Sequence, residues 1–121
     1  MSTSLLIVDD STFSRNMIKR ALPRQWDVDV TEVICGEEAL EVCELKQFDV
    51  IFLDLTMPDI DGLDVLQMLN ERDYHSRVFI ISADIQESSK QIAKERGAVD
   101  FFPKPIESET LLSMLQDHGV I

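Results

Sequence analysis

The sequence predicts an α/β fold in which one doubly wound sheet of five parallel strands is covered by helices on both faces. Short apolar runs alternate with amphipathic stretches along the whole chain, and this alternation is typical of parallel sheets with crossover helices. Three of the runs are apolar throughout, as strands buried on both faces require. With 121 residues and 45% hydrophobic content the chain can bury one core, so we expect residues 1–121 to form a single domain.

The beginning of the chain predicts a buried strand, a helix and a half-exposed strand. Residues 5–8 form the first apolar run, and apolar residues at helical spacing follow it. Ser11 is suited to cap the start of this helix, and Pro23 ends it. Residues 28–33 then alternate apolar with polar, which indicates a second strand with one face exposed.

The middle of the chain repeats this pattern. Residues 37–46 predict a second helix, opened by Gly36, and residues 50–53 predict a third strand. A loop containing Pro58 follows, and then a third helix whose Leu and Met residues we expect in the core. Residues 78–81 predict the fourth strand. The apolar residues whose spacing predicts the third helix are Leu63, Val65, Leu66 and Leu69.

The end of the chain completes five strand–helix pairs. Residues 85–96 predict a fourth helix, closed by Gly97 just beyond its last turn. Residues 99–102 predict a short fifth strand, and residues 107–117 a last amphipathic helix.

Two signals predict the order of the strands in the sheet. The alternating pattern of the second strand suits an edge, and Pro103 at the end of the fifth strand is tolerated mainly at edges or strand ends. Placing strands two and five outside and the three apolar strands inside gives the order 2-1-3-4-5, the flavodoxin-like arrangement.

Charge and composition exclude several classes of function. The chain carries 11 basic and 23 acidic residues, a net charge of −12 that repels phosphate backbones and anionic lipid, so we expect no direct nucleic-acid or membrane binding. Cys35 and Cys43 lie eight residues apart without a nearby His, which predicts no disulfide or metal site, and Cys43 is expected to be a buried thiol. No apolar run exceeds four residues, which excludes a membrane span or signal peptide and predicts a cytoplasmic protein.

Chemically active side chains follow several of the predicted strands. Asp9 and Asp10 end the first strand, Asp54 ends the third, Ser82 ends the fourth, and Lys104 follows the fifth. Ligands of open parallel sheets bind at the carboxyl ends of the strands, so these five groups are expected to converge at one edge. Each alone could be a helix cap or a surface charge. Their coincidence at one edge is what indicates a site.

The three carboxylates predict a bound cation. At about 4 Å and an effective dielectric near 20, each pair of carboxylates repels by about 4 kcal/mol. Oxygen ligands without His or Cys suit a hard ion, and Mg²⁺ is the natural candidate because it combines one or two carboxylates with waters and phosphate oxygens. An amine and a hydroxyl beside it would neutralise the other oxygens of a phosphoryl group.

With these residues in place, the chain resembles the receiver domain of bacterial two-component response regulators, those of chemotaxis in particular. The resemblance covers essentially the whole chain, and the combination of motifs is highly specific. The motifs that carry it are Val8-Asp9-Asp10-Ser11, Leu53-Asp54-Leu55-Thr56-Met57-Pro58 with Asp61-Gly62, Ile81-Ser82-Ala83, and Phe102-Pro103-Lys104-Pro105.

The resemblance implies a phosphorylation site and a metal site. Asp54 would be the phosphoacceptor, whose carboxylate attacks phosphorus to give an acyl phosphate. Asp10 and Asp54 would bind Mg²⁺ directly, Asp9 mainly through water, and Thr56 through its backbone carbonyl.

The resemblance also implies a switch. Lys104 would pair with one phosphoryl oxygen, and Ser82 would move to hydrogen-bond another. Phe101 matches the switch aromatic, which turns inward when Ser82 moves. A cis Lys104–Pro105 bond would aim the ammonium into the site.

The chain also departs from the family pattern. The switch aromatic is Phe101 rather than Tyr, so it has no hydroxyl to move between environments. Thr56 and Asp84 occupy the variable positions that tune hydrolysis of the acyl phosphate. His75 and His118 match no family site and are expected at the surface. Chemotaxis relatives often carry Trp after the phosphoacceptor. Here Leu55 takes that place, and the single tryptophan, Trp26, precedes the second strand.

Three alternative functions make different demands on the sequence. A phosphatase of the haloacid dehalogenase type needs a second Asp two residues after the nucleophile, where this chain has Thr56, and a longer chain for its cap domain. A flavodoxin binds phosphate in a hydroxyl- and Gly-rich first loop, where this chain has Asp9-Asp10. A degenerate receiver that only binds partners would lack one of the five groups, and all five are present.

The resemblance implies a signalling switch that catalyses its own phosphorylation and dephosphorylation and is not otherwise an enzyme. Its phosphodonor would be a sensor histidine kinase or a phosphotransfer protein. Its downstream target, or a second copy of the chain, would bind the face formed by the fourth helix, fifth strand and fifth helix. A chain that starts at Met1 and stops just past the fifth helix fits a stand-alone regulator. It also fits the N-terminal domain of a longer regulator, for instance a chemotaxis-associated one with a phosphatase-like output domain.

Overall fold

The computed structural model describes residues 2–83 and 86–121, and these form a five-stranded parallel sheet flanked by five helices. The strands are β1 (Thr3–Val8), β2 (Val28–Val33), β3 (Val50–Leu53), β4 (Arg77–Ser82) and β5 (Asp100–Pro103). The helices are α1 (Thr12–Ala21), α2 (Gly36–Leu45), α3 (Gly62–Glu71), α4 (Glu87–Glu95) and α5 (Ser108–Asp117).

The strand order is β2-β1-β3-β4-β5, and every pairing is parallel. This confirms the predicted flavodoxin-like arrangement. Each residue of β3 is buried, whereas β2 at the sheet edge has exposed and partly buried residues along most of its length. The three continuous apolar runs of the sequence thus lie in the three central strands, because helices cover both faces of these strands.

Two apolar clusters fill the space between the sheet and its helices. On one face, Leu6, Ile51 and Ile80 of the central strands pack with α2, α3 and α4. On the other face, Phe52 and Phe79 pack with α1 and α5. Alternate residues of each strand point to opposite faces, so one sheet supplies both clusters. The predicted buried thiol, Cys43, belongs to the first cluster, and burial raises its pKa.

Capping residues mark the start of α1 and the end of α4, as the sequence predicts. The Ser11 hydroxyl accepts a hydrogen bond from the Ser14 N–H at the start of α1. At the end of α4, Gly97 has φ of +102°. The Gly97 N–H donates to the Lys94 carbonyl and the Ala98 N–H to the Ala93 carbonyl, which is the Schellman pattern.

Two predicted placements are wrong. Met68 was expected in the core with the leucines of α3, but its side chain is 36% exposed because it points away from the sheet. His118 was expected at the surface, but it is partly buried. Its Nε2 lies 2.9 Å from Asp100 Oδ2, and its ring meets the Phe79 ring edge-on at 5.4 Å. His75 is exposed, as predicted.

Two predictions concern residues outside the described part of the chain. These are the start of the fourth helix at Ile85 and the hydrolysis-tuning position Asp84. Within the described ranges, no helix has the length and apolar character needed to cross a bilayer.

Candidate functional site

The backbone of the sheet brings Asp9 and Asp54 together. Each residue directly follows the last residue of a strand. The backbone N–H of each adds one more hydrogen bond to the neighbouring parallel strand. The Asp9 N–H donates to the Val33 carbonyl at 3.1 Å, and the Asp54 N–H donates to the Val8 carbonyl at 3.0 Å. Both carboxylates therefore stand at the carboxyl edge of the sheet, where strand order reverses.

The acidic cluster consists of Asp9, Asp10 and Asp54. Each can offer one carboxylate oxygen such that the three oxygens lie within 4.8 Å of one another. Asp9 is 1% exposed and Asp54 is 6% exposed, whereas Asp10 is exposed. Three oxygen donors with one side open to water fit a hard divalent cation that keeps part of its hydration shell, as Mg²⁺ does. The donor set thus fits the predicted metal.

Lys104 lies between the two buried carboxylates. Its Nζ is 2.6 Å from Asp9 Oδ2 and 3.2 Å from Asp54 Oδ2. The Lys104 N–H donates to the Ser82 carbonyl at 3.0 Å, and the Lys104–Pro105 peptide bond is cis. Three carboxylates and one ammonium leave a net charge of −2 at this edge, so a divalent cation would complete the neutralisation.

Ser82 and Phe101 lie farther along the sheet toward β5. Ser82 is 1% exposed at the end of β4, one strand from Asp54. Phe101 is partly buried against the first apolar cluster, and the Lys90 ammonium lies 4.8 Å from the centre of its ring. The structure thus brings Asp9, Asp10, Asp54 and Lys104 into one cluster. It places Phe101 on the side of the sheet that α4 covers.

The loop that follows Asp54 is held against the neighbouring elements. The Thr56 N–H points toward Asp54 Oδ1 at 3.4 Å. The Gly62 N–H donates to the Leu55 carbonyl at 2.9 Å. A β-carbon on Gly62 would lie 2.2 Å from the Asp54 carbonyl oxygen, so only glycine permits α3 to begin this close to Asp54.

Sequence reasoning missed Ser14, which contacts the site directly. The Ser14 hydroxyl donates to Asp9 Oδ2 at 2.6 Å, and the Ser11 N–H donates to Asp9 Oδ1 at 2.9 Å. A signal was present, because Ser14 is the third residue after the helix cap Ser11. That position places its side chain in the first turn of the helix that leaves the site.

Arg15 is a second residue that sequence reasoning missed. Its guanidinium donates to the Asp9 carbonyl oxygen at 2.8 Å and to Glu32 Oε1 at 3.1 Å. Glu32 also pairs with Lys19 at 2.9 Å. The Lys19 hydrogen bond, followed by the charges of Lys19 and the contact with Arg15, lowers the pKa of Glu32. This network ties edge strand β2 to α1 and to the backbone of the acidic cluster.

An apolar depression opens beside Lys104, with a volume of about 350 Å³. Phe13, which is 75% exposed, and Met17 of α1 line one side, and Pro105 and Ile106 line the other. This opening lies next to the Lys104 side chain and gives the site an uncharged border on its α1 side.

Comparisons with known proteins agree with the fold described above. The family described as the response regulator receiver domain matches residues 5–116. The chemotaxis protein CheY of Listeria monocytogenes is 36% identical over 112 residues, covering 93% of this chain and 94% of that protein. A protein-glutamate methylesterase/protein-glutamine glutaminase of Pyrococcus horikoshii is 39% identical over 86% of this chain, which spans 29% of its length. The signal receiver domain of a LuxO repressor protein from Vibrio parahaemolyticus superimposes with a TM-score of 0.90 at 30% identity, over 98% of this chain and 90% of that one.

Proposed function

Because this chain belongs to the response regulator receiver domain family, we propose that it is a phosphorylation-activated switch of a two-component system and that residues 1–121 form its single receiver domain. The observation that carries the proposal is the buried carboxylate of Asp54, with the Lys104 ammonium 3.2 Å from its Oδ2 and two further carboxylates beside it. The carboxylate is a nucleophile, the ammonium faces it, and the acidic cluster supplies metal ligands.

In this proposal Asp54 accepts the phosphoryl group. One carboxylate oxygen attacks phosphorus and forms a P–O bond, while the P–N bond to the donor's histidine breaks and the histidine nitrogen takes a proton from solvent. Asp9, Asp10, Asp54 and the Thr56 carbonyl would hold Mg²⁺, which when bound neutralises charge on the phosphoryl oxygens. Water later hydrolyses the acyl phosphate and restores the carboxylate.

Lys104, Ser82 and Phe101 convert the modification into a change of surface. The Lys104 ammonium pairs with a phosphoryl oxygen, and the Ser82 hydroxyl hydrogen-bonds another. Movement of Ser82 makes room for the Phe101 ring to turn inward, away from Lys90. The face formed by α4, β5 and α5 therefore changes shape and binds a downstream target or a second copy of the chain.

The phosphodonor in this proposal is a sensor histidine kinase or a phosphotransfer protein. The apolar depression beside Lys104 supports docking of such a donor, because Phe13 and Met17 expose apolar surface next to the acidic cluster. Binding there would place a donor histidine near Asp54.

Incubation with acetyl phosphate and Mg²⁺ tests the assignment of Asp54. The chain should gain one base-labile, hydroxylamine-sensitive phosphoryl group, detected by intact mass, and Asp54→Asn should abolish it. The matched control Asp117→Asn, at an exposed position of α5, should be labelled normally. Chelation of Mg²⁺ should prevent labelling, and Asp10→Ala should raise the Mg²⁺ concentration that labelling requires. Labelling that survives in Asp54→Asn would refute the assignment.

The similarity to the longer methylesterase supports a second candidate, in which this sequence is the N-terminal receiver of a multidomain regulator, with a phosphatase-like domain among the possible outputs. Phosphorylation of Asp54 would then alter a contact between domains of one chain. Reading the gene beyond the codon for Ile121 decides between the two candidates.

A further inference from the structure

The Asp9 carboxylate accepts hydrogen bonds from three protein donors. Asp9 itself is 1% exposed. The Ser11 N–H donates to Oδ1 at 2.9 Å. The Ser14 hydroxyl and the Lys104 ammonium both donate to Oδ2, each at 2.6 Å. Two donors, one neutral and one charged, thus share a single oxygen of a buried carboxylate.

We propose that Ser14 is a positioning residue for phosphorylation, which acts through Asp9 on Lys104. Its hydroxyl remains on Asp9 Oδ2 when the ammonium turns toward the phosphoryl group on Asp54, and it thereby lowers the cost of releasing Lys104. The inference rests on the function proposed for Asp54 and Lys104.

The resting position of Lys104 creates the need for such a residue. The ammonium lies 2.6 Å from Asp9 Oδ2 and 3.2 Å from Asp54 Oδ2, so its shorter contact is with Asp9, the carboxylate that is not phosphorylated. Pairing with a phosphoryl oxygen on Asp54 draws the ammonium from this contact. A buried carboxylate that loses a donor without replacement is destabilised, because bulk water does not reach it freely.

Ser14 is placed to serve both states. Its N–H is fixed by the Ser11 hydroxyl in the first turn of α1, so the backbone that carries the Ser14 hydroxyl is held without Lys104. A serine hydroxyl carries one proton, and that proton is directed to Asp9 Oδ2. Without it, Lys104 would be the only donor to Oδ2 among the contacts described, and its release would cost more.

Ser14→Ala, Ser14→Thr and the matched control Ser113→Ala on α5 test the proposal in the full chain. Labelling rate with acetyl phosphate and affinity for beryllofluoride are measured at saturating Mg²⁺, and affinity for Mg²⁺ alone is measured by calorimetry. Ser14→Ala should lower rate and beryllofluoride affinity by about five- to tenfold, as loss of part of a charged hydrogen bond predicts. Ser14→Thr, which keeps the hydroxyl, and Ser113→Ala should both stay within about twofold of the wild type.

A second background separates positioning from a general structural role. With Lys104→Gln there is no ammonium to release, so adding Ser14→Ala should change the labelling rate by less than about twofold. An equal loss in both backgrounds, or a wild-type rate in Ser14→Ala alone, overturns the proposal. If Ser14→Ala does not fold, Ser14→Cys replaces it, and its weaker donor should give an intermediate loss. Failure of the wild-type chain to be labelled refutes the proposed function itself, whatever the serine variants do.

Discussion

At the scale of single residues, Asp59 links the loop after Asp54 to helix α2. The N-cap residue of α2, Cys35, makes no side-chain cap hydrogen bond. Asp59 supplies it from the loop after β3, because its two carboxylate oxygens accept the N–H groups of Gly36 at 3.0 Å and Glu37 at 2.9 Å. Backbone hydrogen bonds, from Glu37 first, then from Ile60 and then from Gly36, lower the pKa of Asp59 from 3.8 to about 2.

We predict that Asp59→Asn destabilises the chain in a pH-dependent way. The folded pKa of Asp59 lies below its unfolded value, so the stability it contributes is present above about pH 4 and is lost as the pH falls toward 2. At neutral pH the variant should melt a few degrees below the wild type, and the gap should close between pH 4 and pH 2. Thermal melts at several pH values measure this. A gap that stays constant with pH would show that the Asp59 charge does not contribute.

The sequence made some of these residues predictable and hid others. Five residues could be assigned to one edge because each lies at or just after the end of a strand, and strand ends meet in a parallel sheet: Asp9, Asp10, Asp54, Ser82 and Lys104. Ser14, Arg15 and Asp59 act across elements. Their contacts depend on the angle at which α1 leaves the sheet and on the path of the loop after β3. His118 was misplaced for the same reason, since its partner Asp100 lies on another element.

At the scale of elements, the start of α3 depends on Gly62. A β-carbon there would meet the Asp54 carbonyl oxygen at 2.2 Å and the Leu55 α-carbon at 2.8 Å. Both are backbone atoms of the segment that carries the Asp54 carboxylate, so they cannot yield as a flexible side chain would. The position of α3 and the position of Asp54 are therefore coupled.

Gly62→Ala should lower stability and labelling together. Forcing a methyl group into a closely packed site costs about 1–3 kcal/mol, which corresponds to a fall in Tm of roughly 4–12 °C. Gly97→Asn is the control, because Gly97 has open space around its α-carbon and Asn tolerates a positive φ better than other side chains. Its Tm should fall less. Thermal melts and acetyl phosphate labelling of both variants give the comparison, and an unchanged Tm in Gly62→Ala would contradict the close approach.

The strands and helices could be predicted from the spacing of apolar residues, because that spacing reflects which side chains are buried. Strands β1, β3 and β4 each contain a continuous apolar run because helices cover both faces of the sheet there, and β2 alternates because it lies at an edge. Boundaries differ by one or two residues, as at β4, which begins at Arg77 and not at Val78. There the backbone continues to pair with β3 although the side chain is exposed. The end of such a strand is determined by its backbone hydrogen bonds and not by the polarity of its side chains.

At the scale of the whole molecule, the acidic cluster and the single tryptophan lie at opposite edges of the sheet. The acidic cluster, Lys104 and the end of β4 occupy the carboxyl edge, whereas Trp26 precedes β2 at the amino edge. The Trp26 side chain packs against the second apolar cluster, which α1 and α5 share. The predicted position of the tryptophan before the second strand is confirmed, because β2 begins at Val28.

Intrinsic fluorescence should therefore report activation of this chain poorly. β2 is six residues long. At about 3.3 Å per residue, it separates Trp26 from the acidic cluster by roughly 20 Å, beyond the reach of direct quenching by a bound ion. Adding Mg²⁺ and beryllofluoride should change Trp26 emission only slightly. A variant that combines Trp26→Phe with Thr56→Trp moves the probe to an exposed position two residues after Asp54, and its emission should respond. The wild-type chain could instead show a large, saturable change in Trp26 emission that Asp54→Asn abolishes. In that case the structural change at Asp54 extends to the opposite edge of the sheet, through the core that α1 and α5 cover.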